Sequence, residues 1–143
     1  MKVETSRFGT VEVDQDKIIH FTKGILGFPD DKRYILLPHK QNSPFFWLQS
    51  IDSPELAFAV INPSLIKSDY LVEIPDEIEK ELEIERPDQV DVLVIITIRR
   101  GSNGKKVKMT ANLLGPIVIN IEKRLACQLV LDPKKYPVRY AFG

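Results

Sequence analysis

The stretch QVDVLVIITIRR, Gln89 to Arg100, constrains the fold more than any other part of the chain. Val90, Val92, Val94, Ile96 and Ile98 share one side of an extended backbone, and Leu93, Ile95 and Thr97 lie on the other. Both sides are largely apolar, so the strand is expected to be buried on two faces for much of its length. The turn residues Gly101-Ser102-Asn103-Gly104 then return the chain through Lys105 to Leu114, where Val107, Met109, Ala111 and Leu113 alternate with Lys106, Lys108, Thr110 and Asn112. This pattern predicts an antiparallel hairpin with a basic tip.

The same period of two recurs elsewhere. Val3 and Thr5 precede Phe8-Gly9, and Val11 and Val13 follow it, which reads as a first hairpin. Short apolar runs follow at Lys17 to Phe21, Arg33 to Leu37, Phe45 to Gln49, Leu56 to Ile61, Asp69 to Ile74 and, near the end, Ala126 to Leu131. Clusters of Gly, Pro, Asn, Asp and Ser fence them, and the chain has 10 prolines to spend on such punctuation. Strands at this spacing predict an all-β, mainly antiparallel, barrel-like fold. At 143 residues it forms a single domain, residues 1–143.

One segment departs from alternation. In PDEIEKELEIERPD, Asp76 reads as the cap of a short helix whose Glu79 completes a capping box, with Ile78 and Leu82 on one face and a stop before Pro87. From Leu71 to Asp88 there are eight acids (Glu73, Asp76, Glu77, Glu79, Glu81, Glu83, Glu85, Asp88) against Lys80 and Arg86, a balance of 2 − 8 = −6. From Arg99 to Lys108 the balance is +5, with no acid. The whole chain is neutral, 20 basic against 20 acidic residues, so it lacks the overall electropositive character of a nucleic-acid binder. The basic tip also has no interleaved aromatics on which bases would stack.

Catalytic signatures are scarce. His20 and His39 lie far apart, the single cysteine, Cys127, sits in an apolar run, and there is no HExxH, CxxC or phosphate-binding loop. Gly24 and Gly27 in GILGFPD lack the lysine and following helix that such a loop needs. The chain is therefore expected not to be an enzyme and to need no cofactor or metal. The longest apolar runs fall far short of the roughly 18 residues of a membrane span. With no signal-peptide core and one cysteine, a cytoplasmic, non-membrane protein is expected.

Binding is the better class. In PFFWLQSID, Phe45 and Trp47 point opposite to Phe46 and Leu48, toward a second layer or a partner. In TANLLGPIVIN, Asn112 and Asn120 bracket Gly115-Pro116. If Gly115-Pro116-Ile117 formed a turn, the two asparagines would stand opposite each other on adjoining strands; if the chain ran on through Pro116 at a bulge, each would act alone.

GILGFPD (Gly24 to Asp30), PFFWLQSID (Pro44 to Asp52), TANLLGPIVIN (Thr110 to Asn120) and CQLVLDPKKYPVR (Cys127 to Arg139) together resemble the successive signature blocks of the FliW family of flagellar assembly factors. The likeness spans essentially the whole chain. Gly115 departs from it, standing where the family's NLxAP pattern has alanine. The resemblance implies a cytoplasmic β-barrel without catalysis and two alternative partners, flagellin and the translational repressor CsrA. In that scheme flagellin holds the factor until export removes it; the freed factor then binds CsrA and relieves repression of flagellin mRNA allosterically. A monomer is expected. The candidate partner-binding residues are Glu73, Asp76, Glu77, Glu81 and Glu85 on the acidic segment, with Phe45, Trp47, Asn112 and Asn120. The competing readings are an RNA-binding barrel using Arg99 to Lys108, and a carbohydrate-binding sandwich, which a single Trp and the missing secretion signal disfavour.

Overall fold

The computed structural model describes residues 1–100 and 107–143. Eleven strands and one α-helix follow in order: β1 (Lys2–Thr5), β2 (Gly9–Glu12), β3 (Ile19–Phe21), β4 (Arg33–Pro38), β5 (Phe46–Ser50), β6 (Ala57–Ile61), α1 (Asp76–Glu81), β7 (Val90–Arg100), β8 (Val107–Ala111), β9 (Ile117–Asn120), β10 (Leu125–Gln128) and β11 (Tyr140–Phe142). Hydrogen bonds run through β7, β6, β5, β4, β3, β10 and β9, and β9 pairs back onto β7, closing a barrel. Every junction of this ring is antiparallel except β3 with β10, where His20 and Phe21 face Leu125 and Ala126 in parallel. A closed ring leaves no strand edge exposed along its circumference.

The interior follows from the period of two. Ile19 and Phe21 of β3, Tyr34 of β4, Leu48 of β5, Val60 of β6, Leu93 of β7, Ile117 and Ile119 of β9 and Ala126 of β10 meet in one buried cluster, so each ring strand sends its alternate side chains inward. β7 is buried on both faces in its first half: Leu93 fills the barrel, while Val94 and Ile96 point outward beneath a second layer that includes Tyr70, Leu113, Tyr136, Tyr140 and Phe142. The expected two-sided strand is thus present. The first hairpin, β1 with β2, is closed by Thr5, whose hydroxyl donates to Gly9 O at 2.8 Å and accepts the Phe8 N–H at 2.8 Å, with Gly9 at φ +69°. It packs Val3 and Val13 on Ile18 and Ile35 outside the ring.

Two local expectations are corrected. Asp69 to Ile74 forms no strand. Its alternation is real, with Tyr70 buried and Val72 and Ile74 half-buried, but the segment lies on the barrel wall as a strap, anchored by the Tyr70 hydroxyl donating to Leu113 O at 2.7 Å. Asp76 is not the cap of α1: Pro75 occupies that position at ψ 148°, with no side-chain cap bond, and Asp76 is the first helical residue. α1 is short and stops before Pro87, as expected. It ends at Glu81, with Glu83 in the left-handed region at φ 55°, Ile84 N–H donating to Glu79 O and Glu83 N–H to Lys80 O, the reciprocal pair of a Schellman stop.

The run TANLLGPIVIN makes no hairpin turn. β8 and β9 both pair antiparallel with β7, β8 against Ile96 to Arg100 and β9 against Val90 to Leu93, so the run is one interrupted strand that bulges at residues 112–116. Asn112 and Asn120 act separately.

Candidate protein-binding surface

The acidic segment, α1 and its flanks, is held from beneath. Leu82 is fully buried and packs on Val118, Cys127 and Leu129, with Ile78 and Ile84 against the same cluster. Asn120, also fully buried, donates through Nδ2 to Leu82 O at 2.8 Å and Glu83 O at 3.1 Å. Its Oδ1 accepts the N–H groups of Glu122 and Lys123, each at 3.1 Å, so the whole amide is used. Gln89 repeats the device: its buried Oε1 accepts the N–H of Glu85 at 2.6 Å and of Arg86 at 2.9 Å. Two side chains, Asn120 at the end of β9 and Gln89 just before β7, therefore satisfy the carbonyls at the helix end and the amides of the following loop.

On this fixed backbone Glu73, Asp76, Glu77, Glu79, Glu83 and Glu85 are exposed. Among the described residues none of them has an ion-pair partner. Arg86 is engaged by Asp88 at 3.2 Å and Glu122 at 2.6 Å, and Lys23 stands 4.0 Å from the half-buried Glu81. A cleft of about 520 Å³ opens beside the helix, its floor made by Val72, Ile74, Ile84 and Val90 and its rim by Glu79, Glu85 and Arg86. Apolar floor and acidic rim suit a partner that presents a basic side chain next to an aliphatic one.

The other candidates lie elsewhere. Trp47 is half-buried: the Arg7 guanidinium lies 3.9 Å from its ring centroid, Phe8 meets it edge-on, and its Nε1–H donates to His39 Nδ1 at 3.1 Å. Phe45 precedes β5 and packs with the layer around Ile61 and Tyr70. Asn112 is half-buried and its Oδ1 accepts the N–H of Leu114 at 3.1 Å and of Gly115 at 2.9 Å, capping the bulge. Of the four candidates outside the acidic group, Asn120 alone joins it, and it does so from below, as a support. The basic tip is described only at Arg99, Arg100, Val107 and Lys108; residues 101–106 lie outside the described residues.

The supporting glutamines escaped the sequence reading. Gln89 and Gln128 sit at or beside strand ends, and Gln49 is buried in β5 with Nε2 within 3.1–3.4 Å of the carbonyls of Ser50, Ser53, Pro54 and Leu56. Gln128 links two signature blocks, accepting the Leu26 N–H at 2.9 Å and donating to Gly115 O at 3.0 Å. An amide within or beside an alternating apolar run is the available signal, since such a group must be bonded once it is buried. Cys127 is buried, and burial pushes its thiol up to about 11. Among the described residues no group of three or more His, Cys, Asp or Glu stands ready to hold a metal, and no helix is long and apolar enough to cross a membrane.

Comparison with known proteins agrees with this geometry. Residues 2–142 match the model of the FliW protein family. Flagellar assembly factor FliW of Syntrophus aciditrophicus (strain SB) is 44% identical over 140 residues, covering 98% of this chain and 86% of the relative. That of Desulfitobacterium hafniense (strain DSM 10664 / DCB-2) is 41% identical, covering 98% and 90%. The crystal structure of a flagellar assembly factor FliW superposes with a TM-score of 0.86 at 32% identity, covering 99% of this chain and 96% of the other. A closed β-barrel with one acidic helix, matched in sequence from end to end, thus belongs to the FliW family of flagellar assembly factors.

Proposed function

We propose that the chain is a cytoplasmic, non-catalytic regulator that binds flagellin and, once released, binds the translational repressor CsrA and allosterically relieves its repression of flagellin mRNA. Membership of the family supports the flagellar role. The observation that carries the binding role is the acidic face of α1 and its flanks, unpaired at its surface and pinned from below by Asn120 and Gln89. A repressor that holds RNA carries basic surface, which this face complements. A rigid face also loses little conformational entropy on binding, so its charges are already placed for encounter.

Calorimetric titration with purified flagellin and separately with CsrA, followed by CsrA in saturating flagellin, tests the reading. Binding to both that becomes mutually exclusive is expected. No heat with either partner across salt and temperature overturns it. The surface has its own check: Glu77→Gln, Glu81→Gln and Glu85→Gln together should slow association with CsrA about tenfold or more and flatten its salt dependence. Unchanged kinetics would remove this face from the interface while leaving the partners in place.

A further inference from the structure

The strap from Leu71 to Ile74 leaves its backbone unused. Tyr70 is buried and Val72 and Ile74 are half-buried, while Leu71 and Glu73 are exposed, the alternation of an extended chain. The segment belongs to no strand. Among the described residues its one backbone bond is at Leu71 O, which accepts the Tyr136 hydroxyl at 3.2 Å. No partner meets the N–H of Leu71, or the N–H and C=O of Val72, Glu73 and Ile74.

The direction of these groups follows from Leu71. Its carbonyl faces Tyr136, and successive residues of an extended chain turn their peptide groups to opposite edges. Glu73 therefore shares the Tyr136 edge, where Leu71, Glu73 and Tyr136 line a hollow of their own. Val72 and Ile74 present their peptide groups on the other edge, along the cleft of about 520 Å³. Across that cleft Ile84 and Val90 complete the apolar floor, and Glu79 and Glu85 stand on the rim without ion-pair partners among the described residues. Val90 is the first residue of β7, at the opposite end of that strand from Arg100. Unbonded peptide groups beside an aliphatic floor are a template for another extended chain. A second copy would bring its own acids to this rim, and a nucleic acid its phosphates, so like charge opposes both.

We infer that the cleft beside the strap takes an extended segment of a protein partner in which basic and aliphatic residues alternate, added as a strand along Val72 to Ile74. The segment pairs its backbone with the peptide groups of Val72 and Ile74, lays its aliphatic side chains on the floor and reaches Glu79 and Glu85 with its basic ones. Such docking rests on the acidic face being a protein-binding surface, and adds main-chain pairing to its charge.

The probe is a fluorescein-labelled, end-capped peptide of alternating lysine and valine, titrated with the full chain by anisotropy beside its glutamate-valine counterpart. The lysine peptide should bind, more weakly as salt rises, and the glutamate peptide should not. Two further lysine peptides are N-methylated, one at its valines and one at its lysines, so that each loses the N–H donors of one edge and keeps its charge. One of them should bind about tenfold or more weakly and the other within about twofold of the parent. Bound peptide should slow exchange of the Val72 and Ile74 amides, which are unbonded in the free chain, and leave those of Leu71 and Glu73 as they were. Glu79→Gln with Glu85→Gln should weaken the lysine peptide about tenfold with the circular dichroism spectrum unchanged. Equal binding of the glutamate peptide, equal binding of the two N-methylated peptides, no binding at all, unslowed Val72 and Ile74 amides, or indifference to the glutamate substitutions each overturns the inference. CsrA and flagellin that still bind in calorimetry would then leave the acidic face a surface that works through side chains alone. Loss of both partners there, with the peptides behaving as expected, removes the named partners and keeps the docking site.

Discussion

Asn120 and Asn112 stand on the same interrupted strand, eight positions apart, and support different kinds of structure. Asn120 is fully buried and reaches out of its strand to hold the end of a helix nearly forty residues away in sequence, at Leu82 and Glu83. Asn112 is half-buried and bonds only to Leu114 and Gly115, its own neighbours. One amide organises tertiary structure and the other shapes a local bulge, so residue type and burial parity alone do not reveal the reach of a buried polar group. The lobe that Asn120 supports carries the unpaired acids; the bulge that Asn112 supports connects to the GILGFPD loop through Gln128.

The largest effect that would break this comparison is at Asn120. Asn120→Ala leaves the carbonyls of Leu82 and Glu83 and the amides of Glu122 and Lys123 without partners, in part beneath the surface. Loss of about 3 kcal/mol or more is expected in urea unfolding. Amide exchange in residues 76–84 should speed up beyond the global change, because the lobe loses its tether before the barrel opens. Asn112→Ala should cost about 1 kcal/mol, as removal of a local cap does, with exchange in 76–84 unaltered beyond the global change. Equal costs at the two sites, or equal disturbance of the lobe, would erase the distinction.

Much of the barrel was legible because its code is local. Inward residues such as Ile19, Phe21, Leu48 and Leu93 recur at alternate positions between turn residues, and that pattern sets both strand and face. The strap at Asp69 to Ile74 shows where the code stops. Alternation marks which side of an extended chain is buried, and Tyr70, Val72 and Ile74 obey it, but pairing depends on a neighbour with free peptide groups. The parallel contact of β3 with β10 and the sharing of β7 by β8 and β9 were illegible for the same reason: both join segments whose relation no short window contains. At the candidate surface the acids were visible as a charge run. Their supporting role was not, since Gln89 read as a strand start and Asn120 as a partner-binding candidate until the carbonyls and amides they bind are placed beside them.

Gly115 gives the finest test of the local side of the comparison, and the smallest. A Cβ built there lies 2.8 Å from Gln128 Nε2 and 3.1 Å from Asn112 Nδ2, both at the ends of flexible side chains, and no left-handed φ forbids it. An alanine is therefore admissible only if the Gln128 amide swings away, giving up its bond to Gly115 O. Gly115→Ala also restricts the unfolded chain, which favours folding, so gain and loss nearly cancel and the net change should stay within about 0.5 kcal/mol. The displaced amide should show where stability does not. Gln128 Oε1 holds the Leu26 N–H, so exchange at Leu26 should accelerate several-fold in Gly115→Ala while the amides of Leu114 and Gly115, bonded to Asn112, keep their protection. Unchanged Leu26 exchange would mean that Gln128 absorbs the methyl group without releasing the loop, and that the bulge and GILGFPD are independent units. Faster exchange would make Gln128 the coupling between them, which extends the local cap of Asn112 by one further link and narrows its difference from Asn120.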